Sequence, residues 1–192
     1  MKLSGVHLLL TYQCNFECDH CFVWGSPWQS GTMPLQTVRQ ILQQAENLGT
    51  VERIYFEGGE PFLYYAALAR GVQEAAEMGF QVGIVTNGYW ATDGPDALES
   101  LKPFAGLIQD LSVSSDIYHW SEKVSRETEN ATAAAEQLGI PVGFLSVAQP
   151  EAADAAAAVG QLPQGESAVM YRGRAAVELV SRAAVHPWEE FT

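Results

Sequence analysis

The three cysteines of the chain lie within one short segment, and their spacing is the clearest chemical signal in the sequence. Cys14, Cys18 and Cys21 are separated by four and three residues. Three thiolates from one loop can converge on a cuboidal iron–sulfur cluster, which takes four ligands and so keeps one iron without a protein thiolate. That iron can bind a substrate or a cofactor. The segment therefore predicts a metal centre that is also a reaction site.

Other uses of these thiols compete with a cluster. His20 would complete a Cys3His zinc site, although structural zinc sites usually draw their ligands from two separated pairs. Cys18 and Cys21 also have the spacing of a thioredoxin-type redox pair, but that pairing leaves Cys14 unexplained. A disulfide framework would need an even number of cysteines spread along a secreted chain. Metal binding is favoured, with zinc as the alternative to iron.

A second motif, Gly58-Gly59-Glu60-Pro61, follows the β-rich run Arg53–Glu57. Two adjacent glycines let a backbone approach a ligand closely. Glu60 offers a carboxylate to an ammonium group, and Pro61 suits the first turn of a following helix. The same segment also fits a simple strand-to-helix turn.

Further polar groups follow two later β-rich runs. Asn87 begins an Asn-Gly pair at the end of the third run, where such a pair is also a common turn. Ser112 and Ser114 are two residues apart in the fourth run and so share one face of a strand. Asp116 follows them, and it fits either a ligand-binding carboxylate or a cap.

The elements that must position these residues alternate between strands and helices. Helical periodicity is predicted from Pro34 to Gly49, over Leu63–Met78 and over Glu122–Leu138, with a short alanine-rich helix over 152–159. The predicted strands are Val6–Thr11, Arg53–Glu57, Gln81–Thr86, Leu107–Ser114, Pro141–Val147 and Ser167–Tyr171.

This alternation predicts a parallel sheet, because parallel neighbours need a crossover connection. A full eight-stranded barrel usually needs about 250 residues. The 192 residues of this chain therefore favour an α/β fold, a partial (β/α)6 TIM-like barrel, over a flat doubly wound sheet. Cys14, Glu60, Asn87 and Ser114 all follow or end predicted strands, on the face where barrel enzymes carry their sites.

The composition narrows the classes of partner. The formal net charge of −13 argues against binding to nucleic acid or to an anionic membrane surface. No apolar run reaches the roughly 20 residues of a membrane span, and Val6–Leu10 is too short for a secretory segment. We expect a cytoplasmic protein with one domain over residues 1–192, whose 47% hydrophobic content suffices for a core.

Together the motifs resemble those of the radical S-adenosylmethionine (SAM) superfamily. The C-x3-C-x2-C spacing after a first strand is similar to the defining motif of that family, and Gly58–Pro61 is similar to its GGEP segment. The resemblance implies that Cys14, Cys18 and Cys21 ligate a [4Fe–4S] cluster whose fourth iron is chelated by the amino and carboxylate groups of SAM. It also implies that the GGEP segment binds the SAM amino group.

The resemblance implies further contacts with SAM. His20 stands where relatives commonly carry an aromatic residue near the adenine. Asn87 is expected to make a polar contact with SAM, and Ser112 and Ser114 suit its ribose or its methionine carboxylate. Asp116 belongs to a segment that resembles the S-x-D…H stretch of one broad group of relatives.

By resemblance, the reduced cluster passes one electron to SAM, and the resulting 5′-deoxyadenosyl radical abstracts hydrogen from a small-molecule or peptide substrate. A reducing donor such as flavodoxin or ferredoxin is implied. Relatives often carry a C-terminal extension with further cysteines, whereas no cysteine follows Cys21 here. We therefore expect either a minimal member or a chain lacking such an extension. A zinc module and a degenerate barrel acting as a scaffold remain alternatives.

At the end of the sixth predicted strand, Arg172 or Arg174 can reach a carboxylate or stay solvated.

Overall fold

The computed structural model describes residues 2–119, 125–153 and 164–183, together with residues 185, 187 and 189. Within these residues, five parallel strands form one sheet in the order β1-β2-β3-β4-β5. The strands are β1 (Gly5–Thr11), β2 (Arg53–Gly58), β3 (Gln81–Thr86), β4 (Asp110–Ser114) and β5 (Val142–Leu145). The helices are α1 (Leu35–Leu48), α2 (Tyr65–Glu77), α3 (Gly94–Leu101), α4 (Arg126–Gln137) and α5 (Ala175–Glu178).

The strand order decides between the two folds that the sequence left open. In a doubly wound sheet the order in which strands are added reverses part-way, so that neighbouring strands are not all consecutive in sequence. Here each strand lies beside the one before it, and right-handed crossovers then place the intervening helices on one face. The parallel α/β arrangement is confirmed, and the order is that of an open barrel.

The core lies between this helix-bearing face and the helices. Leu8, Ile54, Phe56, Leu111 and Val113 alternate with more exposed neighbours along their strands and are at most 2% exposed. Along α1, the buried residues recur at helical spacing and are Val38, Leu42 and Ala45. Each element therefore contributes the apolar stripe that its sequence pattern predicts.

The opposite face of the sheet carries polar side chains on its first two strands. His7 of β1 stacks on Tyr55 of β2, with ring centroids 4.8 Å apart, and its Nδ1 lies 3.1 Å from Glu57 Oε2. Gly83 of β3 leaves room for the Tyr55 ring, since a Cβ there would lie 2.3 Å from Tyr55 Cε1.

Helix α3 was not predicted from the sequence. Its N-cap is Asp93, whose side chain accepts a hydrogen bond from the Asp96 backbone N–H, and Pro95 lies in the first turn. A 3₁₀ turn, Lys102–Phe104, follows the helix, and Gly106 then adopts a φ of +75°. Because this connection occupies the residues up to 109, β4 begins at Asp110 rather than at Leu107.

The sixth predicted strand is reduced to a single parallel bridge between Val147 and Ser167 in the described residues. Beyond it the chain leaves the sheet, and the backbone N–H of Arg174 donates to the carbonyl of Cys21. The start of predicted helix Glu122–Leu138 and most of predicted helix 152–159 lie outside the described residues. None of the described helices is both long and apolar enough to cross a membrane.

Candidate cluster and cofactor site

The cysteine loop leaves β1 at the carboxyl edge of the sheet. Cys14 and Cys18 are buried, Cys21 is half-buried, and all three thiols are free. Two backbone N–H groups point at the sulfurs: that of Phe16 lies 3.4 Å from Cys14 Sγ, and that of Gly25 lies 3.1 Å from Cys21 Sγ. The loop thus presents three thiols and already directs hydrogen-bond donors at two of them.

Burial keeps the thiols of Cys14 and Cys18 protonated until a metal binds, because it raises the pKa of each. Burial raises the pKa of Cys14 to about 11, and neighbouring Glu60 and Cys21 add to the shift. Burial likewise raises the pKa of Cys18, with further contributions from Cys14, Cys21 and Asp116. Since a metal ligand must be a thiolate, binding of a metal or cluster here displaces the thiol protons.

The donor atoms grouped around the cysteine loop bear on which metal fits. In a tetrahedral zinc site with Zn–S bonds near 2.3 Å, the sulfurs lie about 3.8 Å apart. Among the described residues, the donor atoms that lie within 4.8 Å of one another are those of Cys18, His20 and His119. That group takes one thiol of the cysteine loop, whereas a cuboidal cluster takes three thiolates, so the two kinds of metal centre would use different residues.

The GGEP turn is attached to the base of the cysteine loop. The backbone N–H of Gly59 donates to Thr11 O at 2.7 Å, and that of Glu60 donates to Gln13 O at 2.8 Å. A Cβ on Gly59 would lie 2.1 Å from Gln13 O, and one on Gly58, whose φ is +136°, would lie 2.3 Å from Thr11 O. The close approach that the two glycines permit is therefore to the protein's own backbone.

Glu60 is fully buried and binds three donors. Its Oε1 accepts from the Phe62 N–H and from the Thr86 hydroxyl, and its Oε2 accepts from the Asn87 N–H at 2.8 Å. Burial raises the pKa of this carboxyl to about 7, although the hydrogen bonds oppose the shift. Glu60 thus joins the ends of β2 and β3, and Oε2, with one donor bound, has the capacity for one further hydrogen bond.

Asn87 reaches the cysteine loop from the end of β3. Its side-chain amide donates to Asn15 Oδ1 at 2.9 Å and lies 3.6 Å from Cys14 Sγ. The preceding Thr86, which was not singled out from the sequence, accepts from Gly88 N–H and from Trp90 Nε1 while donating to Glu60. Its position beside an Asn-Gly pair was the available signal.

Asp116 organises the end of β4. Its carboxylate accepts from His119 Nδ1 at 2.8 Å, from the Tyr118 N–H at 3.0 Å and from the Val147 N–H at 3.3 Å. Burial would raise the pKa of Asp116, but His119, His20 and the Val147 N–H together outweigh burial and lower it. His20 Nε2 lies 3.9 Å from the same carboxylate.

His20 packs against Tyr118 with ring centroids 4.6 Å apart. Burial lowers the pKa of His20 to about 4, so its ring is neutral. In the described part of the chain, His20 Nδ1 and Tyr118 Oη are buried without a hydrogen-bond partner. Two orphaned polar atoms beside a loop of three thiols fit a site completed by a polar ligand.

Ser112 and Ser114 share one face of β4, as the sequence predicts, while Leu111 and Val113 are buried on the other. The Ser112 hydroxyl donates to Asp110, at the start of the strand. The structure thus gathers the three cysteines, His20, Glu60, Asn87, Ser114 and Asp116 at the carboxyl edge of the sheet, whereas Ser112 contacts a residue deeper in it.

The sequence left Arg172 or Arg174 either reaching a carboxylate or staying solvated, whereas Arg174 is buried and binds mainly backbone carbonyls. Its guanidinium donates to Cys18 O at 2.8 Å and to Gly25 O at 2.7 Å, while the Glu17 carboxylate lies 3.6 Å away. Arg172 is exposed. The sequence separation of Arg174 from the cysteine loop left no local signal for this contact.

Comparison with known proteins adds family and fold. Residues 8–150 match the model of the radical SAM superfamily. Over 147 residues the chain is 32% identical to the S-adenosylmethionine-dependent nucleotide dehydratase of Fibrobacter sp. (strain UWH6), which covers 72% of this chain and 42% of that protein. Over 120 residues it is 29% identical to the putative peptide biosynthesis protein YydG of Bacillus subtilis (strain 168), covering 62% and 38%.

Among solved structures, SuiB of Streptococcus suis bound to S-adenosylmethionine superposes with a TM-score of 0.61 at 17% identity, covering 77% of this chain and 35% of that one. At this identity the likeness concerns the fold, and it confirms the barrel-like α/β class. The chain spans about two fifths of the length of the two curated relatives. Since the family model covers most of its residues, this chain belongs to the radical SAM superfamily.

Proposed function

We propose that residues 1–192 form the core domain of a radical SAM enzyme in which Cys14, Cys18 and Cys21 ligate a [4Fe–4S] cluster. The observation that carries the proposal is the set of three thiols in one loop, at the carboxyl edge of the sheet and hydrogen-bonded to the GGEP turn. When bound, the reduced cluster and SAM supply a 5′-deoxyadenosyl radical that abstracts hydrogen from the substrate. The protein would bind and orient the cluster, SAM and the substrate, and it would exclude water from them.

For SAM, we assign the GGEP turn and Asn87 to the amino-acid end. Glu60 would accept the ammonium group through the remaining hydrogen-bond capacity of Oε2, and Gly58, Gly59 and Pro61 shape the turn around it. The Asn87 amide contacts Cys14 Sγ, and we assign the same residue to the amino-acid end of SAM. These assignments rest on the resemblance and on the proximity of the turn to the cysteine loop.

At the other end of SAM, we assign His20 and Asp116 to the adenine side. The unpartnered His20 Nδ1 offers the base a polar contact beside a flat ring. Ser114 suits the ribose or the methionine carboxylate. Ser112 is the weaker candidate of the two serines because Asp110 already accepts its hydroxyl.

A peptide is the substrate class that we favour. One relative is named as a putative peptide biosynthesis protein and another as a nucleotide dehydratase. A net charge of −13 repels a polyphosphate and attracts a basic peptide. We propose a ferredoxin or flavodoxin as the electron donor and the cytoplasm as the compartment.

Zinc binding is a second candidate because one specific geometry favours it. The donor atoms of Cys18, His20 and His119 already lie within 4.8 Å of one another. Such a module would hold one zinc ion through a set that differs from Cys3His, and it would leave Cys14 and Cys21 without a metal.

The deciding experiment is EPR spectroscopy of the anaerobically reconstituted, dithionite-reduced chain with and without SAM, together with metal analysis. We expect a [4Fe–4S]+ signal that changes shape when SAM is added. Stoichiometric zinc with no iron would favour the zinc module. A cluster signal indifferent to SAM would instead leave a barrel that binds a cluster but not the cofactor.

A further inference from the structure

Arg174 is a buried cation that contacts the cysteine loop, and the proposed function gives it no role. It is 6% exposed although its charge would ordinarily keep it in water. Its two hydrogen bonds run to Cys18 O and Gly25 O, which lie on opposite arms of the loop around Cys21. A planar guanidinium can bridge two carbonyls in this way, whereas an ammonium is a single point of charge.

The backbone around Arg174 reinforces the same contact. The N–H of Arg174 donates to Cys21 O at 2.8 Å. Gly173 adopts a φ of +62°, and a Cβ there would lie 2.4 Å from the carbonyl carbon and oxygen of Phe22. The chain turns at Gly173 so that its backbone can lie directly on the loop.

Trp24 shows what the guanidinium holds in place. It is the non-glycine residue with a positive φ, +59°, in the described part of the chain. Its ring lies under the Arg174 guanidinium, with Cζ 5.6 Å from the ring centroid. A left-handed backbone at a bulky residue is costly and persists where surrounding contacts impose it. Arg174 supplies such a contact.

We propose that Arg174 is a positioning residue of the cluster site, which closes the cysteine loop around its thiols and places a buried positive charge beside them. The inference rests on the proposed function. The ligand that this charge serves is the anionic thiolate cluster. The nearby Glu17 carboxylate, 3.6 Å from Arg174, is 53% exposed and therefore offsets the charge only in part.

Two consequences follow from the charge and from the bridge. Reduction adds a negative charge to a cluster that three thiolates already make anionic, so a buried cation raises its reduction potential. The bridge keeps the two arms of the loop together, so it slows cluster loss and shields the thiols of the cluster-free protein. Arginine and lysine both carry the positive charge, but only arginine can bridge the two carbonyls.

The test compares R174Q, R174K and, as a matched control, R172Q, which removes the same charge from an exposed position. The midpoint potential of the reconstituted chain is measured by EPR-monitored redox titration. We expect a more negative potential in R174Q, and a potential near that of the wild type in R174K and R172Q. An unchanged potential in R174Q would overturn the electrostatic role.

The bridge is tested through retention and access. With an iron chelator present, R174Q and R174K should lose the cluster about tenfold faster than the wild type, since each loses hydrogen bonds to a charged group. In the cluster-free chain, a thiol reagent should label Cys18 faster by a similar factor in both, with R172Q unchanged. Wild-type rates in R174K would overturn the bridge even if R174Q does not fold.

These readouts separate the two proposals. If the wild-type chain takes up no iron, the proposed function fails, and with it the electrostatic role of Arg174. Thiol labelling of the cluster-free variants still decides whether Arg174 closes the loop. If the wild type holds a SAM-responsive cluster but the Arg174 variants match it throughout, only the inference about Arg174 fails.

Discussion

The side-chain amide of Asn87 lies 3.6 Å from the Sγ atom of Cys14 and links the end of β3 to the cysteine loop. The same amide donates to Asn15 Oδ1 at 2.9 Å, which fixes its orientation. Hydrogen bonds to cluster sulfurs are one of the features that set the reduction potential of an iron–sulfur centre. We therefore expect Asn87 to influence a cluster held by Cys14, in addition to any contact with SAM.

The variant Asn87→Ala removes this donor and should lower the midpoint potential of the cluster with iron content unchanged. Potentiometric EPR and iron analysis give the two quantities. The matched control is Asn130→Ala, which removes a half-buried amide that donates to Ala91 O on another part of the fold. A potential that does not move in Asn87→Ala would mean that the contact does not reach the cluster.

Gly59→Ala tests the attachment of the GGEP turn. A Cβ at this position would lie 2.1 Å from Gln13 O, so the turn and the start of the cysteine loop must separate. We expect a loss of about 2–3 kcal/mol in the free energy of unfolding, and weaker retention of the cluster. Denaturant unfolding measures the first and chelator challenge the second.

Gly94→Ala is the control for that change. The added Cβ at Gly94 meets no atom within 4 Å, and its φ is not in the left-handed region. This variant should unfold at the wild-type denaturant concentration or slightly above it, because alanine restricts the unfolded chain. Equal stability of Gly59→Ala and Gly94→Ala would refute the packing described for the turn.

Stability should depend on the titration of Glu60. Burial raises its pKa from 4.5 to about 7, so between these values the folded chain binds more protons than the unfolded chain. The free energy of unfolding therefore falls as pH rises through this range. The protonated Glu60 carboxyl contributes roughly 3 kcal/mol to the free energy of unfolding. This contribution is complete below pH 4.5 and is lost above pH 7.

Glu60→Gln removes this titration, which makes it the reference for the measurement. Denaturant unfolding of both proteins across the range should show the difference between wild type and variant shifting in favour of the variant as pH rises. A difference that is flat with pH would mean that the carboxyl titrates near its ordinary value in the folded protein.

Glu60→Gln should also weaken SAM binding to the reconstituted chain. An amide carries no charge toward the ammonium group, and hydrogen bonds to charged groups are worth about 1.5–3 kcal/mol, or roughly 10- to 100-fold in Kd. The matched control is Glu57→Gln, near the end of β2, the strand that precedes Glu60. The Glu57 carboxylate pairs with His7. Unchanged SAM affinity with an intact cluster would remove Glu60 from the cofactor site.

The sequence by itself determined the class of fold and predicted the chemistry of the site. The spacing of Cys14, Cys18 and Cys21 and the GGEP segment are local, so they are readable without a structure. Strand and helix periodicity determined a parallel sheet, and parallel strands bring their carboxyl ends to one edge. Placing Glu60 and Asn87 near the cysteines followed from that rule alone.

Only the tertiary structure decided the order of the strands and the partners of the polar groups. Helix α3 was missed because its short pattern depends on the cap at Asp93. Gly58 and Gly59 proved to pack on the neighbouring backbone, which two glycines in a sequence do not specify. The contact of Arg174 with Cys18 joins residues 156 positions apart. Such a contact depends on the whole fold, since no local periodicity or spacing encodes it.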